Sequence, residues 1–218
     1  MLRKLSKNAK ITLSILFIFT GLVLMTYTYF DTIKKNVYND MNIRYIEQQV
    51  VLSEPLEEII VPEITTSQVT QVTTTTTAKL PDARDAYIGY LEVPDVKIKR
   101  GFVSPDSKYN SIGYNVTIIK GSTMPDKDKG NFILAAHRGN SSVSFFDKLY
   151  KLDRRDKAYV TYNGKKYTYE LVNTYEESKD GSLTIKRNAN VNTLTLITCT
   201  RNNKKTQTIF IFELVSID

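Results

Sequence analysis

The sequence predicts a mainly β protein: a closed eight-stranded barrel with short helices, preceded by one transmembrane helix and a linker. Three observations carry that expectation. From about residue 86 the chain alternates short runs rich in Val, Ile, Thr, Tyr and Phe with clusters of Gly, Asn, Asp and Ser, the pattern of a sandwich or barrel. Residues 11–30 contain no charged side chain and are rich in Ile, Leu, Phe and Val. Between these two regions lie an acidic, Pro-punctuated stretch and a tract from Thr65 to Thr77 dominated by threonine, which has nothing to bury and reads as a linker.

In chain order, residues 1–10 form a basic tail in which Arg3, Lys4, Lys7 and Lys10 meet no acid. As a helix the next twenty residues span about 30 Å, the thickness of a bilayer's hydrocarbon core. A cleaved signal peptide shares the basic start and apolar run. Here, however, Tyr27, Tyr29 and Phe30 occupy the exit in place of a small-residue cleavage site, and aromatics there suit a membrane interface. Lys4, Lys7 and Lys10 outweigh Lys34 and Lys35, so the N-terminus is expected in the cytoplasm and the rest outside. Ile33, Val37, Met41, Ile43, Ile46 and Val50 share roughly one helical face. Residues 31–80 therefore read as a juxtamembrane helix and Thr-rich linker, and 81–218 as the folded domain.

Within that domain, strands are expected at 86–92, 96–102, 116–120, 131–136, 158–162, 166–175, 193–199 and 208–215. Asn163-Gly164 between the fifth and sixth is a two-residue hairpin signal. Short helices are expected near 107–112 and 142–149, the second with Val143, Phe146, Leu149 and Tyr150 on one face.

The net charge of +7 first hints at nucleic acid. Four of those positives lie in the first ten residues, and elsewhere Lys and Arg are interleaved with Asp and Glu. No basic helix or aromatic–arginine platform follows, so no nucleic-acid partner is expected. A single cysteine excludes an internal disulfide. With a single histidine it offers two metal ligands before carboxylates are recruited, so neither metal nor cofactor is expected.

That cysteine and histidine each sit where an apolar run breaks into polar residues. His137 follows Asn131-Phe132-Ile133-Leu134-Ala135-Ala136, and Cys199 follows Thr193-Leu194-Thr195-Leu196-Ile197-Thr198. Strand ends can present both from one rim of a barrel. A thiolate nucleophile needs a nearby base or cation, and imidazole is the side chain best suited to this near neutral pH. The plainer alternative is a small buried cysteine and a satisfied core histidine.

The strand ending in His137-Arg138 resembles the histidine strand of sortases, and Thr195-Leu196-Ile197-Thr198-Cys199 resembles their T-L-x-T-C strand. The 142–152 segment with Phe145, Phe146 and Leu149, then Tyr167 and Tyr169, match the order between them. The resemblance covers about residues 86 to 214, and the basic start, anchor and linker fit the same family. It implies a membrane-anchored cysteine transpeptidase on the outer face of a Gram-positive cell, its partners being membrane lipid, surface proteins bearing an LPXTG-like sorting signal, and a peptidoglycan-precursor or pilin amine. Cys199 would attack the threonine carbonyl to give a thioester. His137 would protonate the departing amine and deprotonate the incoming one.

The family's third residue is an arginine on the strand after the cysteine, bonding the substrate and the developing oxyanion. Thr206-Gln207-Thr208-Ile209-Phe210 holds none. Arg201, Lys204 and Lys205 are the cations at hand, and Arg201 would face the same side as Cys199 in extended chain. Arg201 is therefore the candidate, against the alternative of a solvated loop arginine; failing any cation, Gln207 or backbone N–H groups must donate. Arg138, beside His137, reads as structural. The short 176–192 connection, and the lack of an Asp-Pro-aromatic lid motif or of a second apolar segment, favour a class D-like or divergent member. Two other readings stay open: a Cys–His protease, and a tethered non-catalytic β domain that binds cell wall or a partner.

Overall fold

The computed structural model describes residues 7–53, 86–181 and 183–218. The chain divides into two units, 1–41 and 42–218. A single helix, α1 (Lys7–Ser53), runs from the first through the start of the second. Its Lys10–Gln48 portion is long and apolar enough to cross a membrane. The expected anchor and the juxtamembrane helix thus form one uninterrupted helix, as the absence of Pro from 7–53 allows. The expected Thr-rich linker lies outside the described residues.

Eight strands follow: β1 (Tyr87–Val93), β2 (Ile98–Val103), β3 (Thr117–Ile118), β4 (Asn131–Ala135), β5 (Lys157–Tyr162), β6 (Lys165–Ser178), β7 (Thr193–Cys199) and β8 (Thr206–Ile217). They form one sheet in the order β2-β1-β5-β6-β8-β7-β4-β3. Its terminal strands β2 and β3 approach each other, so the sheet curls into a nearly closed barrel. The turn between β5 and β6 is the expected Asn163-Gly164 pair, with φ of +49° and +73°. That left-handed geometry matches the strands' own twist, and Asn and Gly tolerate it.

Two expectations need correction. The segments at 107–112 and 142–149 are mainly turns, and the short helices among the described residues are 3-10 turns at Pro94–Val96 and Leu149–Lys151. Serine and asparagine side chains explain this by competing for the backbone. Ser107 Oγ accepts from the Tyr109 N–H, and Asn110 pairs with both the N–H and the carbonyl of Ile118. Ser144 Oγ bonds both the N–H and the hydroxyl of Ser141. Phe146 and Leu149 are nonetheless fully buried, so the apolar pattern found the core without a helix.

Alternation along β4, β7 and β8 builds two apolar layers. Phe132, Leu134, Leu194, Leu196, Phe210 and Phe212 fill the barrel interior. Ile133, Ala135, Ile197, Ile209 and Ile211 pack on the other face beneath Leu183 and Ile185 of the β6–β7 connection. These strands are covered on both faces, which is why they read as continuous apolar runs. The connection is pinned at its far end by the Arg187 guanidinium, which donates to the carbonyls of Val191 and Lys129 at 3.3 and 3.1 Å. Nearer the site the Tyr175 hydroxyl donates to the Thr184 carbonyl and accepts from the Lys186 N–H.

Candidate active site

β4 and β7 form the barrel's parallel pair, in register from Asn131↔Thr193 to Ala135↔Ile197. Registered residues of a parallel pair project to the same side. The register holds beyond the ladder: the Ala136 N–H donates to Ile197 O at 3.3 Å, and Thr198 Oγ1 donates to Ala136 O at 3.0 Å. His137 therefore follows in line with Cys199. Both continue the row of Ile133, Ala135 and Ile197, on the face away from the barrel interior. A buried polar clip fixes the pairing at its other end, where the Thr193 and Thr195 hydroxyls both donate to Asn131 Oδ1, at 3.0 and 2.8 Å. The His137 carbonyl accepts from the Phe146 N–H at 3.1 Å, tying the chain after the histidine to the core.

Cys199 is half-buried and lines a groove of about 480 Å³. The walls are apolar, formed by Ile112, Ile119, Ala135, Ile197 and Leu183, and Gln207 and Lys179 bring polar atoms to the Cys199 end. Such a trough suits an extended apolar peptide with polar groups at the point of reaction.

The expected residues are not all brought together. Arg201 is exposed, its guanidinium 4.3 Å from the centre of the Tyr150 ring, and it does not line the groove. Arg138 also lies over Tyr150 at 5.5 Å, and its Nε is 3.9 Å from Asp147. Gln207 stands directly across from Cys199 in the β7–β8 register.

Sequence reasoning missed Lys179. Its Nζ donates to Cys199 Sγ at 3.1 Å and to the Lys204 carbonyl at 3.5 Å, and its N–H donates to the Lys205 carbonyl at 3.0 Å. The cause is the sheet order, in which β8 lies between β6 and β7. Gln207 pairs with Cys199 on one side and Glu177 on the other, and Lys179 lies two residues past Glu177 on the same face. Strand spacing puts β6 about 10 Å from β7, within reach of a long lysine side chain crossing β8. Nothing local in the sequence marks this residue, because the contact spans two strand pairings.

Comparison with known proteins agrees with this fold. The sortase-domain family profile matches residues 91–214. Among solved structures, the lid mutant of sortase A from Corynebacterium diphtheriae superposes with a TM-score of 0.54 at 19% identity, covering 61% of this chain and 72% of that one. Sortase C2 of Group B Streptococcus pilus island 1 gives 0.55 at 19% identity, over 63% and 77%. A Clostridium perfringens sortase D5 transpeptidase gives 0.51 at 21% identity, over 60% and 80%. Among curated protein sequences none matches this chain. A profile match over more than half the chain, on a nearly closed eight-stranded barrel, places this protein in the sortase family.

Proposed function

We propose that this protein is a membrane-anchored transpeptidase that cleaves an LPXTG-like sorting signal through a thioester on Cys199 and passes the acyl group to an amine of the cell wall or a pilin. The observation that carries this reading is the β4–β7 register, which sets His137 in line with Cys199, together with the apolar groove that Cys199 lines. The Leu-Pro part of a signal would lie along Ile112, Ile119, Ala135 and Ile197, bringing the threonine carbonyl to Cys199.

In the first half-reaction the Cys199 thiolate attacks that carbonyl carbon. The C–S bond forms and the amide C–N bond breaks, and the leaving amine takes a proton from the His137 imidazolium. In the second half an acceptor amine attacks the thioester. A new amide forms, the thiolate is released, and the amine's proton returns to His137. Arg201, favoured by the sequence, and Lys179, set against the thiol, compete for the role of cationic partner to the oxyanion.

The long apolar N-terminal helix and the basic tail before it support an anchored domain facing outward. One set of preparations tests the whole reading. The full chain incubated with sorting-signal peptides should gain the mass of the acyl fragment on Cys199, and an added amine should release it as a new amide. Cys199→Ala should trap nothing while keeping its melting temperature. External protease on intact protoplasts should remove the domain. Release to water alone, unaffected by any amine, would instead make the protein a protease, and an unmodified Cys199 with every peptide would end the enzymatic reading.

A further inference from the structure

We infer that Lys179 is a catalytic residue of this centre: its ammonium, in contact with the Cys199 sulfur at rest, donates to the oxyanion that forms when that sulfur attacks. This rests on the acyl-transfer reading above and names the cation which that reading leaves open.

The geometry carries the argument in three steps. First, Lys179 Nζ and Cys199 Sγ are 3.1 Å apart, so the ammonium touches the atom that reacts. A cation at that distance offers a counter-charge to the sulfur as it acts as nucleophile. Second, the lysine is positioned from both ends, by its N–H on the Lys205 carbonyl and its Nζ near the Lys204 carbonyl. Both acceptors belong to the β7–β8 loop, so that loop holds the cation over the cysteine at its own base.

Third, an ammonium carries three donors. The thiol and the Lys204 carbonyl engage two, and Lys179 itself lines the groove where a substrate carbonyl would lie. As the C–S bond forms, negative charge moves from sulfur to the carbonyl oxygen, and one ammonium beside both atoms can follow it without reorganising. Gln207, facing Cys199 in register, adds an amide donor but no charge. Arg201, by contrast, is engaged on the Tyr150 ring.

The test uses the full chain in mild detergent, with Lys179→Met, Lys179→Arg and, as a remote control, Lys157→Met. Cys199 is the only thiol, so iodoacetamide reports on it alone. Alkylation rates near neutral pH report the reactivity of that sulfur. In Lys179→Met the rate should fall about tenfold, while Lys179→Arg and Lys157→Met stay near the parent. Single-turnover acylation by an LPXTG-type peptide should fall on the order of 10²–10³-fold in Lys179→Met, with partial recovery in Lys179→Arg.

An unchanged alkylation rate in Lys179→Met overturns the pairing with the sulfur. Acylation that falls no further than alkylation overturns the oxyanion role. If the parent chain accepts no peptide, the acyl-transfer reading fails, and the alkylation rate still decides the pairing by itself.

Discussion

Asn131 is the residue whose loss most directly probes how the barrel aligns its two chemical strands. Its Oδ1 accepts from the Thr195 hydroxyl at 2.8 Å and the Thr193 hydroxyl at 3.0 Å, and all three residues are buried. Asn131→Ala removes the acceptor from both. Thr193 has another within reach, the Gly130 carbonyl at 3.4 Å, so its share of the loss is small. Thr195 has no other acceptor among the described residues and would keep an unpaired hydroxyl where its exposure is 0%. A buried unsatisfied hydroxyl costs about 1–3 kcal/mol. With the weakened Thr193 contact, Asn131→Ala should destabilise the domain by about 3 kcal/mol, lowering the melting temperature by roughly 10 °C for a domain of this size. Denaturant unfolding followed by tyrosine fluorescence is a clean assay, since the chain has fourteen tyrosines and no tryptophan. The decisive variant is the double change. Adding Thr195→Val to Asn131→Ala removes the orphaned hydroxyl, so the pair should be less destabilised than the sum of the singles by about 1–2 kcal/mol. Additivity to within about 0.5 kcal/mol would refute the claim that this clip joins β4 to β7.

Two further outcomes follow from the same structure. Arg201→Ala loses a cation–π contact worth about 0.5–1 kcal/mol at an exposed site, so turnover should fall less than about tenfold; a loss on the order of 10²–10³ would return the oxyanion role to Arg201. Burial raises the phenol of Tyr169 above its ordinary value of 10.0. The folded state thus resists losing that proton, its contribution is complete below about pH 10, and it declines as pH rises further. Tyr169→Phe should move the midpoint of alkaline unfolding upward, and an unchanged midpoint would show that some other group governs it.

The two candidate catalytic residues stand out in the sequence because they are singular and because their strands are apolar on both faces. His137 and Cys199 each end such a run, and the parallel register places them in line. The long apolar helix was equally plain, since twenty residues without a charge are a local property of composition. Strand positions and the Asn163-Gly164 turn were legible for the same reason: each is decided within a few residues. The turns at 107–112 and 142–149 were misread as helices because apolar spacing signals burial of Phe146 and Leu149, whereas serine and asparagine hydrogen bonds decide the backbone. Lys179 was out of reach altogether. Arg201 looked closer to Cys199, two residues away in sequence, yet it lies on Tyr150 across the loop. A lysine twenty positions upstream arrives at the thiol because β8 seats itself between β6 and β7, and Gln207 sets the register on both sides. Local periodicity dictates which residues face the groove; only the order and register of paired strands, a property of the whole sheet, dictates which charge meets the sulfur.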